Sequence, residues 1–102
     1  MKLFEGKKGL ILGVANDRSI AWAIAQEIME QGGICGFSHL PDKPDDEKKK
    51  NHLRVSKCVE KYPAQTAFLR PLDVQDDVQV KDFMDAAAKD LGQIDFLLHS
   101  IA

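Results

Sequence analysis

Four short apolar runs alternate with three stretches of helical periodicity, and this alternation confines the chain to a parallel sheet linked by crossover helices. The runs are Gly9 to Gly13 around Leu10-Ile11-Leu12, Ile34-Cys35-Gly36-Phe37-Ser38, Thr66-Ala67-Phe68-Leu69, and Ile94-Asp95-Phe96-Leu97-Leu98-His99-Ser100. The first is a continuous apolar run bounded by glycines, as a central strand covered on both faces requires. Between the runs, Ile20, Ile24 and Ile28, with Ala21, Ala25 and Met29 beside them, mark one face of a helix that stops at Gly32-Gly33. Trp22 lies off that stripe and is expected to cover neighbouring structure. After the loop Leu40-Pro41-Asp42-Lys43-Pro44, a mostly charged helix is expected from Asp45 to about Lys61, its thin apolar face made of Leu53, Val55, Cys58 and Val59. Asp76 caps the third helix with Gln79 in a capping-box arrangement, Val80, Phe83, Met84, Ala87, Ala88 and Leu91 form its stripe, and Gly92 ends it.

Right-handed crossovers in a doubly wound α/β sheet, the Rossmann arrangement, put the strands in spatial order third, second, first, fourth. Ligands of such sheets bind beyond the carboxyl ends of the strands, where the order reverses. Gly13 to Ile20, the residues near Leu40, Asp73-Val74 and Ser100-Ile101-Ala102 converge there. The turn Gly13-Val14-Ala15-Asn16-Asp17-Arg18-Ser19-Ile20-Ala21 joins a buried strand to a helix whose free N–H groups and positive dipole end suit an anion. It lacks the G-x-G-x-x-G pattern, because Asn16, Asp17 and Ser19 stand where later glycines would be sought. Gly13 keeps its role, since the missing Cβ allows an unusual φ or a close approach to phosphate. Ser19 can cap the helix and offer a hydroxyl to a phosphate oxygen. On these letters an anion site and an ordinary serine-capped turn both stand.

The remaining residues narrow the classes. Fourteen basic and sixteen acidic side chains give a net charge of -2, so no general attraction to nucleic acid or to an anionic membrane is expected. The start Met1-Lys2-Leu3-Phe4-Glu5-Gly6 lacks the apolar core of a secretion signal, and no apolar run approaches the roughly 18 residues of a membrane span, so a cytoplasmic location is expected. Lys48-Lys49-Lys50 follows Asp45-Asp46-Glu47 without interleaved aromatics and reads as a solvated helix surface. Cys35 and Cys58 read as buried or half-buried free thiols, and His39, His52 and His99 fall at no metal-ligand spacing; no metal is expected.

Taken together, Gly13-x5-Ser19-Ile20-Ala21, Leu72-Asp73-Val74 and His99-Ser100-Ile101-Ala102 resemble the NADH-dependent enoyl-acyl-carrier-protein reductases, divergent members of the short-chain dehydrogenase/reductase superfamily. The resemblance runs from Gly6 to Ala102. It implies that Gly13, Ala15, Ser19 and Ile20 line the cofactor pyrophosphate and adjoining ribose, that Asp73 and Val74 contact the adenine, and that Ser100, Ile101 and Ala102 lie along the nicotinamide-side ribose. It also implies hydride transfer from NADH to the β-carbon of a trans-2-enoyl thioester on acyl carrier protein, in a cytoplasmic homotetramer. Residues 1–102 would then be the amino-terminal part of a single dinucleotide-binding domain.

His39 and Leu40 occupy the place where an acidic residue commonly holds the ribose 2′-hydroxyl of NAD, and no Arg or Lys sits directly there for a 2′-phosphate. NADH is therefore expected over NADPH, with Leu40 among the cofactor contacts. The family's Tyr-x6-Lys pair has no match, because Tyr62, the only tyrosine, is followed by Leu69 at that spacing. No catalytic residue is assigned within the chain. Tyr62 reads as a surface or core-edge residue and His99 as a structural histidine at the end of a buried strand. The same turn would also serve a non-catalytic NAD(H)-binding module. A response-regulator-like domain is disfavoured, since no acidic pair follows the first strand.

Overall fold

A computed structural model describes residues 2–100. The elements run β1 (Lys8–Leu12), α1 (Ile20–Glu30), β2 (Ile34–His39), α2 (Lys50–Val59), β3 (Thr66–Pro71), α3 (Asp77–Leu91) and β4 (Phe96–His99). The strands are all parallel in the order β3-β2-β1-β4, the doubly wound order expected from the alternation. Leu10 and Leu12 point to one face of β1 and Ile11 to the other, the two-residue period of a strand. Ile11 joins Cys35 and Phe37 of β2 beneath α1 and α2. Leu10 and Leu12 join Leu72 and the α3 residues Phe83, Ala87 and Leu91 on the opposite face. Burial of each large side chain here is worth about 1.5–3 kcal/mol, which is why β1 must be apolar on both faces.

Gly9 of β1 is paired with Phe96 of β4, whose ring occupies the space that a side chain would fill. A Cβ at this glycine would stand 2.1 Å from Phe96 Cδ1. Phe4 packs against that ring edge to face, at 5.8 Å between centroids.

Three elements differ from the sequence expectation. Helix α1 buries Ala21, Trp22, Ala25, Ile28 and Met29, while Ile20 and Ile24 are exposed, so Trp22 belongs to the core face. The two alanines let the helix come close to the sheet, and the indole fills the space between Phe37 and Tyr62, at 6.0 and 5.9 Å. Helix α2 begins at Lys50 because the carboxylates of Asp42 and Asp46 accept its first backbone N–H groups, from Lys50, Asn51 and His52. His99 is exposed, since among the described residues β4 pairs on one side only, with β1.

Candidate functional site

Where β1 ends, Gly13 adopts φ 111°, a conformation that an L side chain rarely tolerates. The loop that follows is tied by its own polar groups. Asn16 Oδ1 accepts from Arg18 N at 2.8 Å, and Asn16 O accepts from Ser19 N at 3.2 Å. Ser19 Oγ accepts from Ala15 N at 2.9 Å and from Asn16 N at 3.2 Å. Asparagine and serine thus hold the turn where the commoner pattern uses glycines.

The expected serine cap is corrected here. Ser19 has N-cap backbone geometry, and its carbonyl accepts from Trp22 N and Ala23 N at 3.1 and 3.2 Å, but its side chain makes no bond into the helix. The hydroxyl is committed to the loop behind it. Because α1 also carries no acidic residue in its first turn, the N–H groups of Ile20 and Ala21 meet no capping side chain. The other two helices differ. Asp42 and Asp46 cap α2, while Asp76 Oδ1 accepts from Val78 N and Gln79 N at the start of α3. The start of α1 is therefore the one with neither a side-chain cap nor an acidic residue in its first turn, and it lies beyond the end of β1, where the strand order reverses.

The other expected residues lie along the same rim. Ser100 N donates to Leu12 O at 2.9 Å, which sets Ser100 beside the Leu12–Gly13 peptide. Leu72 N donates to His39 O at 2.9 Å, which sets Leu72 level with Leu40 and Asp73 one residue further along. Asp73 Oδ1 accepts from Gln75 N at 3.0 Å in a turn, and Asp73 N donates to Gln79 Oε1 at 2.8 Å. Gln79 thus reaches Asp73 N–H rather than Asp76 N–H, a variation on the expected capping box. Three apolar side chains stand in solvent along this rim: Ile20 at 73%, Leu40 at 65% and Val74 at 41% exposure. Ile101 and Ala102 lie outside the described residues.

A hollow of about 540 Å³ opens beside the ends of β2 and β3, lined by His39, Pro41, Asp42, Lys49, His52, Pro71 and Gln79. The imidazoles of His39 and His52 meet edge to face within it, His39 Nε2 standing 3.3 Å from His52 Nδ1. His39 Nδ1 lies 2.8 Å from Leu40 O. Burial lowers the pKa of His39 below the usual histidine value, against a smaller upward pull from that carbonyl. None of these residues is among the cofactor contacts expected from the sequence, although His39 stands where an acidic residue is common. Asp42 and His52 are ten residues apart and meet only because the loop folds back to cap α2, and Lys49 enters through a left-handed backbone, φ 51°.

A family model described as enoyl-(acyl carrier protein) reductase matches residues 13–102. The chain belongs to that family. Its relatives include an enoyl-[acyl-carrier-protein] reductase [NADH] of Nostoc, 38% identical over 97 residues, which cover 95% of this chain and 35% of the relative. An enoyl-[acyl-carrier-protein] reductase [NADPH] of Staphylococcus aureus is 33% identical over 98 residues, covering 96% of this chain and 36% of its own length. A crystal structure of the Anaplasma phagocytophilum reductase in complex with NAD superposes with a TM-score of 0.78 at 35% identity, covering 94% of this chain and 33% of that one. The chain thus spans about a third of the length of these relatives.

Within this reductase-family chain, Tyr62 sits at the far end of the sheet from the rim. Its hydroxyl donates to Glu30 Oε1 at 2.9 Å, at the last residue of α1, and its ring packs on Trp22, the core-edge position expected. Cys35 and Cys58 are both buried and free, and burial pushes the Cys35 thiol up to about 12. No helix among the described residues is long and apolar enough to cross a membrane. Among them, no group of three or more His, Cys, Asp or Glu could hold a metal ion.

Proposed function

We propose that this chain is the amino-terminal, cofactor-binding part of an enoyl-[acyl-carrier-protein] reductase, with residues 1–102 forming part of one dinucleotide-binding domain. The observation that carries the reading is the α1 terminus, without a side-chain cap or an acidic residue in its first turn, at the switch point of the sheet. A pyrophosphate at that terminus receives the N–H groups of Ile20 and Ala21 and the positive end of the helix dipole. Gly13 leaves room for the approach, and the Ser19 hydroxyl holds the Ala15 and Asn16 backbone in the turn. Ala15 lines the same bend. Leu40 and Val74 supply apolar surface for the adenine, while Asp73 Oδ2, free of the turn bond that engages Oδ1, can accept from the adenine amino group. Ser100, beside the Leu12–Gly13 peptide, is assigned to the nicotinamide-side ribose, and Ile101 and Ala102, outside the described residues, are proposed as further contacts to it.

The bound NADH supplies hydride for the β-carbon of a trans-2-enoyl thioester carried on acyl carrier protein. This chain binds and orients that cofactor; the groups that act on the thioester belong to other parts of the protein. A cytoplasmic homotetramer is the assembly proposed. Titration of the protein with NADH, followed by turnover of a crotonyl thioester, tests the reading. Saturable NADH binding with NADH-dependent loss of the enoyl chromophore is expected. Failure to bind NADH overturns the reading, and binding without turnover leaves a dinucleotide-binding module.

A further inference from the structure

His39 ends β2 and His52 lies in the first turn of α2, with the loop from Leu40 to Lys49 between them. Their nearest ring nitrogens, His39 Nε2 and His52 Nδ1, stand 3.3 Å apart, with the ring centroids at 5.0 Å and the planes inclined by 76°. An ion about 2.05 Å from each of two nitrogens at that separation subtends roughly 107°, close to the tetrahedral angle of zinc. Rings aimed at one such ion have centroids about 5.1 Å apart, whereas rings in line along a straight N–H···N bond stand about 5.6 Å apart. The observed 5.0 Å fits the converging pair.

We propose that His39 Nε2 and His52 Nδ1 form a two-imidazole site for a divalent transition-metal ion, zinc in the first place, with water in its remaining positions. Imidazole nitrogen suits zinc, copper and nickel, while magnesium and calcium take oxygen. The pair has a second feature of metal-binding histidines. A carbonyl can only accept, so His39 Nδ1 donates its hydrogen to Leu40 O at 2.8 Å, the usual outer support of a ligating imidazole. His39 Nε2 is thereby left with its lone pair at the contact with His52. In the metal-free chain the one hydrogen between the rings is carried by His52 Nδ1. The ion takes its place, and that hydrogen passes through water to Nε2 of His52, an exposed residue, so both rings stay neutral.

The surroundings suit an open, exchangeable site. The hollow of about 540 Å³ has room for the ion and its waters. Asp42, which also lines it, offsets part of the ion's charge, and its carboxylate accepts from the backbone N–H groups of Asn51 and His52 at 2.7 and 3.3 Å, which fixes the backbone beneath the His52 ring. Lys49 opposes the ion, but it is exposed and its long side chain can reach into water. No group of three His, Cys, Asp or Glu ligands exists among the described residues, so water keeps access to the ion. An ion on both rings ties the end of β2 to the first turn of α2 across the loop and stabilises the folded chain. The inference stands independently of the dinucleotide reading.

The test titrates zinc chloride into the native protein and into its His52→Gln and His99→Gln variants, read by calorimetry, imidazole nitrogen NMR and thermal unfolding. A single zinc should bind the native and His99→Gln proteins alike, move the ring-nitrogen signals of His39 and His52 together, and raise the unfolding midpoint. His52→Gln should lose at least about tenfold in zinc affinity, since even an outer-shell partner is worth that much. Magnesium chloride should produce none of these effects. Unchanged zinc affinity in His52→Gln, an equal response to magnesium, or the absence of zinc binding overturns the proposal. Zinc binding that leaves the two ring signals in place overturns it as well, and this readout on the native protein decides the matter even if the variant fails to fold.

Discussion

Replacing Ser19 with Ala removes the group that holds the β1–α1 loop without removing a helix cap, because the hydroxyl bonds backward to Ala15 N and Asn16 N. Each bond contributes about 0.5–1.5 kcal/mol net. Ala15 is exposed and its N–H can turn to water, whereas Asn16 is half-buried, so the pair together is worth roughly 1–2 kcal/mol. Ala15, Asp17 and Arg18 are exposed, so the loop loosens locally when the bonds are lost and α1 itself persists. The cost of re-ordering the loop then appears when the cofactor binds. At 1.4 kcal/mol per decade, NADH affinity should fall about 5- to 30-fold. The assay is calorimetric titration of the native and Ser19→Ala proteins, with thermal unfolding and circular dichroism alongside. Helicity should be retained and the unfolding midpoint should move by no more than a few degrees. An NADH affinity within twofold of native would refute the role given to the hydroxyl, and a loss of helix would show that Ser19 acts as a cap after all.

Ile20→Asp puts a carboxylate in the first turn of α1, where it stabilises the helix by about 0.3–1 kcal/mol and opposes an anionic ligand. Thermal stability should hold or rise while NADH affinity drops; unchanged affinity would count against an anion at that terminus. Gly9→Ala drives a methyl against Phe96 and should cost about 1–3 kcal/mol in denaturant unfolding, most of it relieved when Phe96→Leu is added. A neutral Gly9→Ala would mean that the ring yields freely. The Cys35 thiol, raised to about 12 in the folded chain, stays neutral there while the unfolded thiol ionises from about 9. Its contribution is complete below the unfolded value and is lost between about 9 and 12, with a slope of up to about 1.4 kcal/mol per pH unit. Cys35→Ala should reduce the slope of alkaline unfolding curves, the raised Cys58 and Tyr62 leaving a remainder, and an unchanged slope would assign it to those groups.

The topology was legible because β1 has no polar residue from Gly9 to Leu12, which only a strand buried on both faces requires, and because Gly32-Gly33 and Gly92 mark the ends of α1 and α3. The Asp76 cap was legible for a similar reason, since its carboxylate acts on N–H groups two and three residues away. The rotation of α1 was not. Ile20, Ile24 and Ile28 fit a helical stripe as well as Ala21, Ala25 and Ile28 do, and hydropathy favours isoleucine, whereas close packing favours alanine. Ser19 misled for a reason of direction: a serine before a helix reads as a cap, but here the Asn16 turn places Ala15 N and Asn16 N nearer to its hydroxyl. The His39–His52 contact spans thirteen residues and a folded loop, so no spacing rule could reveal it.

The central claim, that the uncapped start of α1 receives the cofactor pyrophosphate, is tested most directly by amide NMR during titration with NADH. The N–H resonances of Ile20 and Ala21 should move downfield and saturate with the binding isotherm, together with Gly13, while the capped N–H groups of Val78 and Gln79 stay still. Saturable NADH binding that leaves Ile20 and Ala21 unperturbed would contradict the account.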